Sequence, residues 1–433
     1  MVGIPDPTST IIPMFSKFAL YPAVTLALLT TSAFALWPQY RGPKSDGSTA
    51  EKLPEAIDFA KPSWRIPLNT GFSSFVTDGK AVYTVVRREI EGTEHEVLLS
   101  IDAKTGKEQW ASKLGLSRYD GGGDAGADGN KGGDGPRSTP AVANGKVFVI
   151  DAGLSVYAFN AADGKEAWKH NVMREFKGRQ IKWKNAASPL LEGDLLYMAG
   201  GGKGQSFLAF HQDTGKLAWK SGDALMTHAT PIATTLLGQR QILFFNQKGV
   251  TSVDPAKGTQ LWHHDFPYRT SSAASPVVYE DIVYCSAGYG VGSTAFQVKK
   301  EGNGYSTEEL WRESGNKMAN HWSTPVCYKG HLYGLFGFKK YGSAPLACYD
   351  IRTGDLKWEK TGFGPGHLTL VDDRLLVLGD TGQLVVAAAD PSGYQELANE
   401  DLLDGKCWTT PIFSGGKIFA RSAKEGICVS PTS

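Results

Sequence analysis

The residues best able to do chemistry share one register, which in most repeats is followed closely by a Ser/Thr-Pro phrase. They are Arg137, Asn185, His228, Ser272, His321, Trp322, His367 and Trp408. A guanidinium can pair with a carboxylate, and an indole can stack on a planar ring. Because these residues share one register, they could form a ring of side chains that binds an anion, a planar organic ring or a peptide. The alternative is that they bond to loop backbone and fill a channel, since any radial repeat places its equivalent residues in such a ring.

Three of the eight residues are histidines, and imidazole is a common metal ligand. His228, His321 and His367 belong to three different repeats, and nothing in their spacing shows that they converge. We therefore expect unbound histidines and predict no metal site. The chain has no Gly-x-Ser-x-Gly motif and no other nucleophile with a neighbouring base, so no catalytic residue is predicted.

A glycine-rich stretch between Tyr119 and Arg137 carries four aspartates, which could in principle bind Ca²⁺. They are Asp120, Asp124, Asp128 and Asp134. Their spacing matches no calcium-loop pattern, so we interpret this stretch as a mobile connection.

The elements that must position the candidate residues repeat along the chain. Five units contain a phrase of the type AxDxxTGKxxW, in which a turn glycine precedes a tryptophan by four positions; the tryptophans are Trp110, Trp168, Trp219, Trp262 and Trp358. Two copies are degraded: Trp311 follows an irregular loop, and Leu397 replaces the tryptophan. Trp64 has the context of the same strand. From Trp110 to Trp358 the copies lie 43 to 58 residues apart, a period typical of stacked or radial repeats.

One unit predicts four short antiparallel strands. The run PAVANGKVFVI reads as a hairpin around Asn-Gly, a third apolar run follows, and the Thr-Gly turn leads to the strand that carries tryptophan. Such a unit is a propeller blade, and the recurring indole is predicted to pack structurally between neighbouring blades. The last unit stops after three strands, so we expect the strand at Trp64 to complete it. This predicts an all-β, eight-bladed propeller closed by an N-terminal strand.

Composition and charge fit this fold. The 433 residues are 41% hydrophobic and include 51 glycines, as expected for a large β protein. The net charge of +1, without a basic block, argues against binding of nucleic acid. A propeller can use the whole length as one domain, so residues 36–433 are predicted to form a single domain and a monomer.

Residues 1–35 are predicted to be an N-terminal extension and a signal peptide. From Met14 the chain runs through Lys17 and an apolar stretch to Ala33-Phe34-Ala35, a pattern typical of cleavage after Ala35. Either Met1 or Met14 could be the start. We expect a periplasmic or secreted protein without a membrane span in its mature chain. An uncleaved anchor is the alternative, although the stretch is short for a span.

The five cysteines are scattered and odd in number. They are Cys285, Cys327, Cys348, Cys407 and Cys428, and no two are adjacent. We expect buried thiols rather than a disulfide framework. No cysteine follows the predicted cleavage point, so a lipid anchor is not expected.

The repeat phrase, nearly intact at residues 101–110 and 158–168, resembles the tryptophan-docking motif of the pyrroloquinoline quinone (PQQ) repeat propellers. The segment WPQYRGPKSDG at residues 37–47 is similar to the opening of exported PQQ-like proteins of planctomycete-type bacteria. This resemblance covers nearly the whole mature chain and implies the fold. The resemblance does not identify an activity, because proteins with this repeat have several different functions.

Two branches of that superfamily imply competing functions. Quinoprotein alcohol dehydrogenases hold PQQ and Ca²⁺ over the central channel and carry a disulfide between adjacent cysteines, which this sequence lacks. BamB-type scaffolds of outer-membrane barrel assembly have no cofactor and dock proteins or peptides. We predict a non-catalytic scaffold with a cell-envelope protein or peptide as partner and no cofactor; a periplasmic PQQ-dependent dehydrogenase is the alternative, and carbohydrate binding at Trp322 and Trp408 is a third possibility.

Overall fold

The computed structural model describes residues 36–59, 61–119, 135–337 and 344–431. These residues form eight antiparallel sheets, the blades of an eight-bladed β-propeller, as the sequence predicts. Two short strands come first in the chain, β1 (Ser48–Thr49) and β2 (Trp64–Pro67). The predicted signal peptide and the four residues Asp120, Asp124, Asp128 and Asp134 lie outside the described residues.

Blades 1 to 4 follow in chain order, each with its four strands paired in sequence. Blade 1 comprises β3 (Val76–Thr77), β4 (Ala81–Ile90), β5 (Thr93–Asp102) and β6 (Glu108–Leu116). Blade 2 comprises β7 (Ala141–Ala143), β8 (Lys146–Ile150), β9 (Ser155–Asn160) and β10 (Glu166–Asn171), followed by the helix α1 (Val172–Phe176). Blade 3 comprises β11 (Leu190–Glu192), β12 (Leu195–Ala199), β13 (Phe207–His211) and β14 (Leu217–Ser221). Blade 4 comprises β15 (Ile232–Leu236), β16 (Gln239–Asn246), β17 (Gly249–Val253) and β18 (Gln260–Asp265).

Blades 5 to 8 complete the ring. Blade 5 comprises β19 (Val277–Tyr279), β20 (Ile282–Ala287), β21 (Gly292–Glu301) and β22 (Gly304–Glu313). Blade 6 comprises β23 (Val326–Tyr328), β24 (His331–Leu335), β25 (Leu346–Asp350) and β26 (Leu356–Lys360). Blade 7 comprises β27 (His367–Val371), β28 (Arg374–Leu378), β29 (Gln383–Ala388) and β30 (Glu396–Asp401). Blade 8 contains β31 (Ile412–Ser414), β32 (Lys417–Arg421) and β33 (Glu425–Val429). In the described ranges no helix has the length and hydropathy needed to cross a membrane.

The N-terminal strand β2 completes blade 8. Trp64 pairs with Cys428 and Pro67 with Glu425 in an antiparallel register, so the predicted closure of the ring is confirmed. One strand was not expected: β1 joins blade 7 as a fifth strand, parallel to β27, and pairs Ser48 with Leu370. A two-residue strand has no periodic pattern of side chains, and this explains why the sequence did not reveal it.

Strand direction divides the loops between two faces of the ring. Successive strands of a blade are antiparallel, so the residues before each first strand and the turns between second and third strands lie on one face. We call this the entry face. The remaining turns, including the Thr-Gly turns, lie on the opposite face, which we call the turn face.

The repeated tryptophans connect neighbouring blades. In six of them the indole Nε1 donates a hydrogen bond to a backbone oxygen three residues before the turn glycine position of the next blade. The pairs are Trp64 to Ala103 (3.1 Å), Trp110 to Ala161 (2.9 Å), Trp168 to Gln212 (3.0 Å), Trp219 to Pro255 (2.8 Å), Trp311 to Ile351 (2.9 Å) and Trp358 to Asp390 (2.7 Å). Each such indole satisfies its only polar group while its ring packs at the junction.

The turn glycines are required for two reasons: their backbone has a positive φ, and an indole ring lies too close for a side chain. Gly164 has a φ of 70°, which favours glycine, and a Cβ placed there would lie 2.6 Å from the ring of Trp110. The Cβ positions of Gly106 and Gly215 lie 2.9 Å and 2.7 Å from the rings of Trp64 and Trp168. The Gly-x-x-x-Trp spacing recurs because each such blade provides a turn glycine for the tryptophan of the preceding blade and a tryptophan for the turn glycine of the next.

Two junctions lack this contact, and both have a substitute. Blade 5 has no Thr-Gly turn, so Trp262 donates to the Gln241 side chain of its own blade at 2.7 Å, while His264 stacks on Phe296 with ring centroids 3.8 Å apart. Between blades 7 and 8, Leu397 replaces the indole. There the segment that leads to β2 supplies Leu53, Ile57 and Phe59 to the hydrophobic cluster that blades 7 and 8 share.

An inner ring of hydrogen bonds explains the Ser/Thr-Pro phrase. At this position the backbone N–H of one blade donates to the hydroxyl of a neighbouring blade. The pairs are Thr410 to Ser74 (2.9 Å), Ser74 to Thr139 (3.0 Å), Thr139 to Ser188 (2.9 Å), Ser188 to Thr230 (2.9 Å) and Ser275 to Thr324 (3.0 Å). The blades are thus joined by hydroxyls near the axis and by indoles near the rim.

Replacement of a docking glycine tests the contact between blades. Gly164→Ala and Gly145→Ala both place a side chain at a left-handed position, but only Gly164 lies against an indole, whereas nothing approaches Gly145 within 4 Å. We expect Gly145→Ala to lower the free energy of unfolding by about 1 kcal/mol. Gly164→Ala should lower it by about 2 to 4 kcal/mol, because Trp110 must move. Urea unfolding of both variants checks this, and equal losses would contradict a role for the indole.

Candidate functional site at the axial mouth

The eight candidate residues all lie on the entry face, but two of them have purely local roles. The Asn185 side chain donates to Ala187 O at 2.9 Å and accepts from the Ala187 N–H at 3.1 Å. The Ser272 hydroxyl donates to Ser286 O at 2.8 Å, and its side chain is fully buried. Both residues fasten loop backbone, which is the alternative that the sequence left open.

Burial keeps the three histidines uncharged at neutral pH. Burial, with Arg137 nearby, lowers the pKa of His228 to about 3, and its Nε2–H donates to Lys184 O at 2.9 Å. Burial lowers the pKa of His321 to about 4, and burial together with Arg41 lowers that of His367 to about 4. The described residues contain no group of three His, Cys, Asp or Glu side chains that could hold a metal ion.

Arg137 connects neighbouring parts of the ring at the edge of the mouth. Its guanidinium lies 5.0 Å from the ring centroid of Tyr119, and one NH group donates to Trp183 O at 3.2 Å. The Tyr119 hydroxyl in turn donates to Glu96 at 2.5 Å. Arg137 therefore joins blade 1 to the loop that precedes blade 3.

A row of five aromatic rings crosses the mouth, and we call it the aromatic row. It consists of Phe72, Trp408, Trp322, His321 and Tyr289. Centroid distances along the row are 5.2 Å, 4.9 Å, 5.4 Å and 4.8 Å in that order. The two tryptophans precede the first strands of blades 6 and 8, so their contact spans blade 7. Tyr289 is 55% exposed and forms the outer end of the row.

A small cavity lies beside the aromatic row. The cavity beside Trp322 and Ser323 has a volume of about 20 Å³, which suits a single water molecule. The Ser323 hydroxyl, the Trp408 Nε1 and the His367 Nε2 are buried and find no hydrogen-bond partner among the described residues. Buried polar atoms of this kind usually bind ordered water.

The N-terminal segment occupies the axis on the other side. Trp37 O and Pro38 O accept hydrogen bonds from Thr77 and Val142, at 2.8 Å and 2.7 Å, on the first strands of blades 1 and 2. Arg41, only 3% exposed, donates to Thr324 O at 3.2 Å and to Pro325 O at 2.9 Å at the start of blade 6. Because first strands line the axis of a propeller, this segment spans the channel.

The same segment depends on two glycines. Gly42 has a φ of 76°, and its Cβ position lies 3.1 Å from the Trp37 ring; Gly47 has a φ of 79°, and its Cβ position lies 3.2 Å from the Arg41 guanidinium. The spacing Trp-Pro-Gln-x-Arg-Gly is therefore the sequence signal of an axial plug. The phrase is visible in the sequence, but its place in the fold is not.

Sequence reasoning also missed a buried pair of acids between blades 1 and 2. Glu96 is 2% exposed and accepts from Tyr119 and from the Ala152 N–H, at 2.5 Å and 2.9 Å. Asp151 accepts from the Tyr157 hydroxyl at 2.8 Å. Burial and the nearby Asp151 raise the pKa of Glu96 to about 8. The signal in the sequence is weak: Glu96 directly precedes the apolar run of β5, and Asp151 directly follows the apolar end of β8.

These residues do not fit the cofactor of a quinoprotein. The aromatic row packs on itself beside a cavity far smaller than a fused quinone ring system, and the described residues contain no group of three His, Cys, Asp or Glu side chains that could hold a metal ion. All five cysteines are free thiols. Cys327 and Cys348 lie on β23 and β25, with β24 between them.

Comparison with known proteins agrees with the fold. The family model described as outer membrane protein assembly factor BamB matches residues 93–328. A relative of that name from Shewanella oneidensis is 23% identical over 288 residues, which cover 64% of this chain and 69% of the relative. The crystal structure of BamB from Moraxella catarrhalis superposes with a TM-score of 0.57 at 12% identity, covering 86% of this chain and 97% of that one. Quinohemoprotein alcohol dehydrogenase from Comamonas testosteroni superposes with a TM-score of 0.62 at 12% identity, over 91% and 80% of the two chains.

The buried histidine of the mouth predicts a dependence of stability on pH. His228 has a folded pKa near 3, whereas the unfolded chain binds a proton near pH 6.5. Stability is therefore lost as the pH falls below about 6.5, by up to about 1.4 kcal/mol per pH unit for this residue. In His228→Gln the slope of unfolding free energy between pH 6 and pH 4 should be smaller by about that amount. His211→Gln, at an exposed position, is the control, and parallel curves for all three proteins would refute the assignment.

Glu96 predicts the opposite trend. Its folded pKa of about 8 lies above the 4.5 of an ordinary carboxyl, so the unfolded chain releases the proton first as the pH rises. The wild-type protein should lose stability from about pH 5 to pH 8, by up to about 1.4 kcal/mol per pH unit. Glu96→Gln should remove this loss, which urea unfolding at several pH values can measure. An unchanged loss in the variant would mean that the folded carboxyl is ionised.

Proposed function

The chain belongs to the PQQ-repeat family described as outer membrane protein assembly factor BamB, and we propose that it is a non-catalytic scaffold that docks proteins or peptides of the cell envelope. Its entry face would carry the docking surface. We further propose that the protein is exported, as the signal-like residues before Leu36 favour, and that it is cleaved after Ala35.

The observation that carries this proposal is the packing of the mouth. The indoles of Trp322 and Trp408 meet at 4.9 Å, and the cavity beside them has room for about one water molecule. The axis behind them is occupied by Arg41 and its neighbours. A ligand would therefore meet a surface rather than a pocket, which favours a macromolecular partner.

Exposed apolar side chains on the entry face support a docking role. Tyr289 is 55% exposed, Leu116 at the end of β6 is 44% exposed, and Met173 on α1 is 43% exposed. Tyrosine and methionine are enriched where proteins bind one another. Tyr289 also continues the aromatic row, so a partner that covers it would rest on rigid neighbours.

A PQQ-dependent alcohol dehydrogenase is the alternative function. It has the same fold in a solved structure, but at 12% identity this similarity concerns the fold alone. The enzyme would need space for PQQ and oxygen ligands for Ca²⁺, whereas Trp322 and Trp408 pack against each other and the cavity beside Trp322 has no room for PQQ. We therefore favour the scaffold.

Site-specific photo-crosslinking in the producing bacterium tests the docking face. A photoreactive phenylalanine analogue at Tyr289 should give a discrete adduct with a cell-envelope protein. Leu237 is the matched control, since it is 40% exposed, has a similar positive φ, and lies in a turn on the turn face. Absence of any adduct at Tyr289, Leu116 and Met173, or the same adduct at Leu237, would overturn the proposal.

Reconstitution tests the alternative. Protein incubated with PQQ and Ca²⁺ and then passed through gel filtration should carry no quinone absorbance and should reduce no dye when an alcohol is added. Saturable binding of PQQ together with dye reduction would establish the dehydrogenase and reject a non-catalytic role.

A further inference from the structure

The connection between blades 2 and 3 is the site of this inference. It contains α1 and runs along the entry face to β11. Asn171 caps α1 by accepting from the Arg174 N–H at 2.8 Å, and Gly178 N–H closes its other end on Val172 O at 3.1 Å. A short helix inside a loop is thus held at both of its ends.

Neighbouring blades fix the rest of this connection. The Arg179 N–H donates to Gly200 O and Gly201 O, both at 3.0 Å, and the Gln205 side chain donates to Lys177 O at 2.9 Å. His228 reaches Lys184 O at 2.9 Å from the start of blade 4. The backbone of the connection is therefore rigid, held by blades 3 and 4.

Its side chains carry unbalanced positive charge. We call the exposed side chains Lys177, Arg179, Lys182 and Lys203 the basic platform. Lys203 belongs to the adjacent turn of blade 3, where the Cβ position of Gly202 lies 3.3 Å from the Arg179 side chain. None of the four takes part in an ion pair within the part of the chain that the structure describes. A rigid backbone that presents four uncompensated cations is prepared for an anionic partner.

Two acids lie close to the platform. The Glu175 carboxylate is occupied by His170 at 2.6 Å and by the Asn171 N–H at 2.9 Å, and Asp223 accepts from the Gly204 N–H at 2.8 Å. The charge of Arg174, whose guanidinium lies 3.6 Å from Glu175, offsets that carboxylate, and the four platform cations outnumber the remaining acid, Asp223. The whole chain has a net charge of only +1, so this concentration is local.

We propose that the basic platform binds an acidic segment of a protein partner, through salt bridges from Arg179 and its neighbours to Asp and Glu side chains. The apolar content argues for a protein rather than a membrane surface. Met173 is the one exposed large apolar side chain on the five-residue α1, which offers little to insert between lipids. An arginine presented on a fixed backbone suits carboxylates, which it binds in a bidentate manner. This inference rests on the proposed function, because it names the chemistry of the docked partner.

A defined probe tests the inference on the purified full chain. Fluorescence anisotropy of a short fluorescein-labelled oligoglutamate peptide should show binding that weakens as salt rises. The triple variant Lys177→Glu, Arg179→Glu and Lys182→Glu should weaken this binding by about tenfold or more, since three favourable charges become repulsive.

The matched control has the same change in net charge on the turn face. It is the triple variant Lys104→Glu, Lys107→Glu and Lys257→Glu, whose positions are all exposed. It should change the affinity by less than about twofold. Equal losses in the two variants would overturn the platform, because the peptide would then respond to total charge. Urea unfolding of both variants verifies that each is folded.

Two further outcomes separate the proposals. If phosphatidylglycerol vesicles bind through the platform while the peptide does not, the partner is a membrane surface and the inference is overturned. If the cross-link at Tyr289 forms normally in the platform variant, docking on the entry face stands and the acidic-segment inference fails. A cross-link that is lost only in the platform variant supports both.

Discussion

The contact between an indole and the turn glycine of the next blade is the interaction on which this ring depends. Burial of an indole removes about 150 to 250 Å² from water and contributes roughly 4 to 6 kcal/mol before entropic costs. Its N–H donates to a backbone oxygen of the same turn, as Trp110 does to Ala161 at 2.9 Å, so no polar group is left unpaired. The contact also fixes the distance between blades, because the glycine permits the ring to lie directly on the backbone.

Closure gives this interaction its global importance. Trp64 belongs to the N-terminal strand of blade 8 and docks on Ala103 of blade 1 at 3.1 Å. Arg421, which is fully buried on blade 8, reinforces the same seam through Thr84 at 2.8 Å and Asn69 O at 3.0 Å. Pairing of β2 with β33 covers the outer edge of that strand, and the N-terminal segment that supplies β2 first crosses the axis at Arg41. One segment thus closes the ring and fills its centre.

The sequence predicted those parts of the molecule that repeat. Trp110, Trp168 and their equivalents could be aligned without coordinates, and the missing fourth strand of blade 8 identified Trp64 as the closing strand. The exceptions could not be predicted, because each is a single event. Trp262 donates its hydrogen bond to Gln241 because blade 5 has no Thr-Gly turn. No residue near Trp262 in the sequence indicates this change of partner. Arg41 lies far along the chain from the oxygens of Thr324 and Pro325 that hold it.

The difference between repeated and single features also explains why the sequence predicted the position of the candidate site but not the contacts of its side chains. The register before each Ser/Thr-Pro phrase placed Trp322, His367 and Trp408 on one face, as any radial repeat must. Their chemistry depends on contacts across the ring: Trp322 meets Trp408 over blade 7, and His367 stays neutral because it is buried near Arg41. Such contacts join residues of different repeats, and a repeat pattern contains no information about them. The aromatic residues of the mouth pack on one another, whereas the loops around them, which carry Tyr289 and the basic platform, present exposed side chains. In a fold whose scaffold is this regular, specificity resides where the repeat is broken.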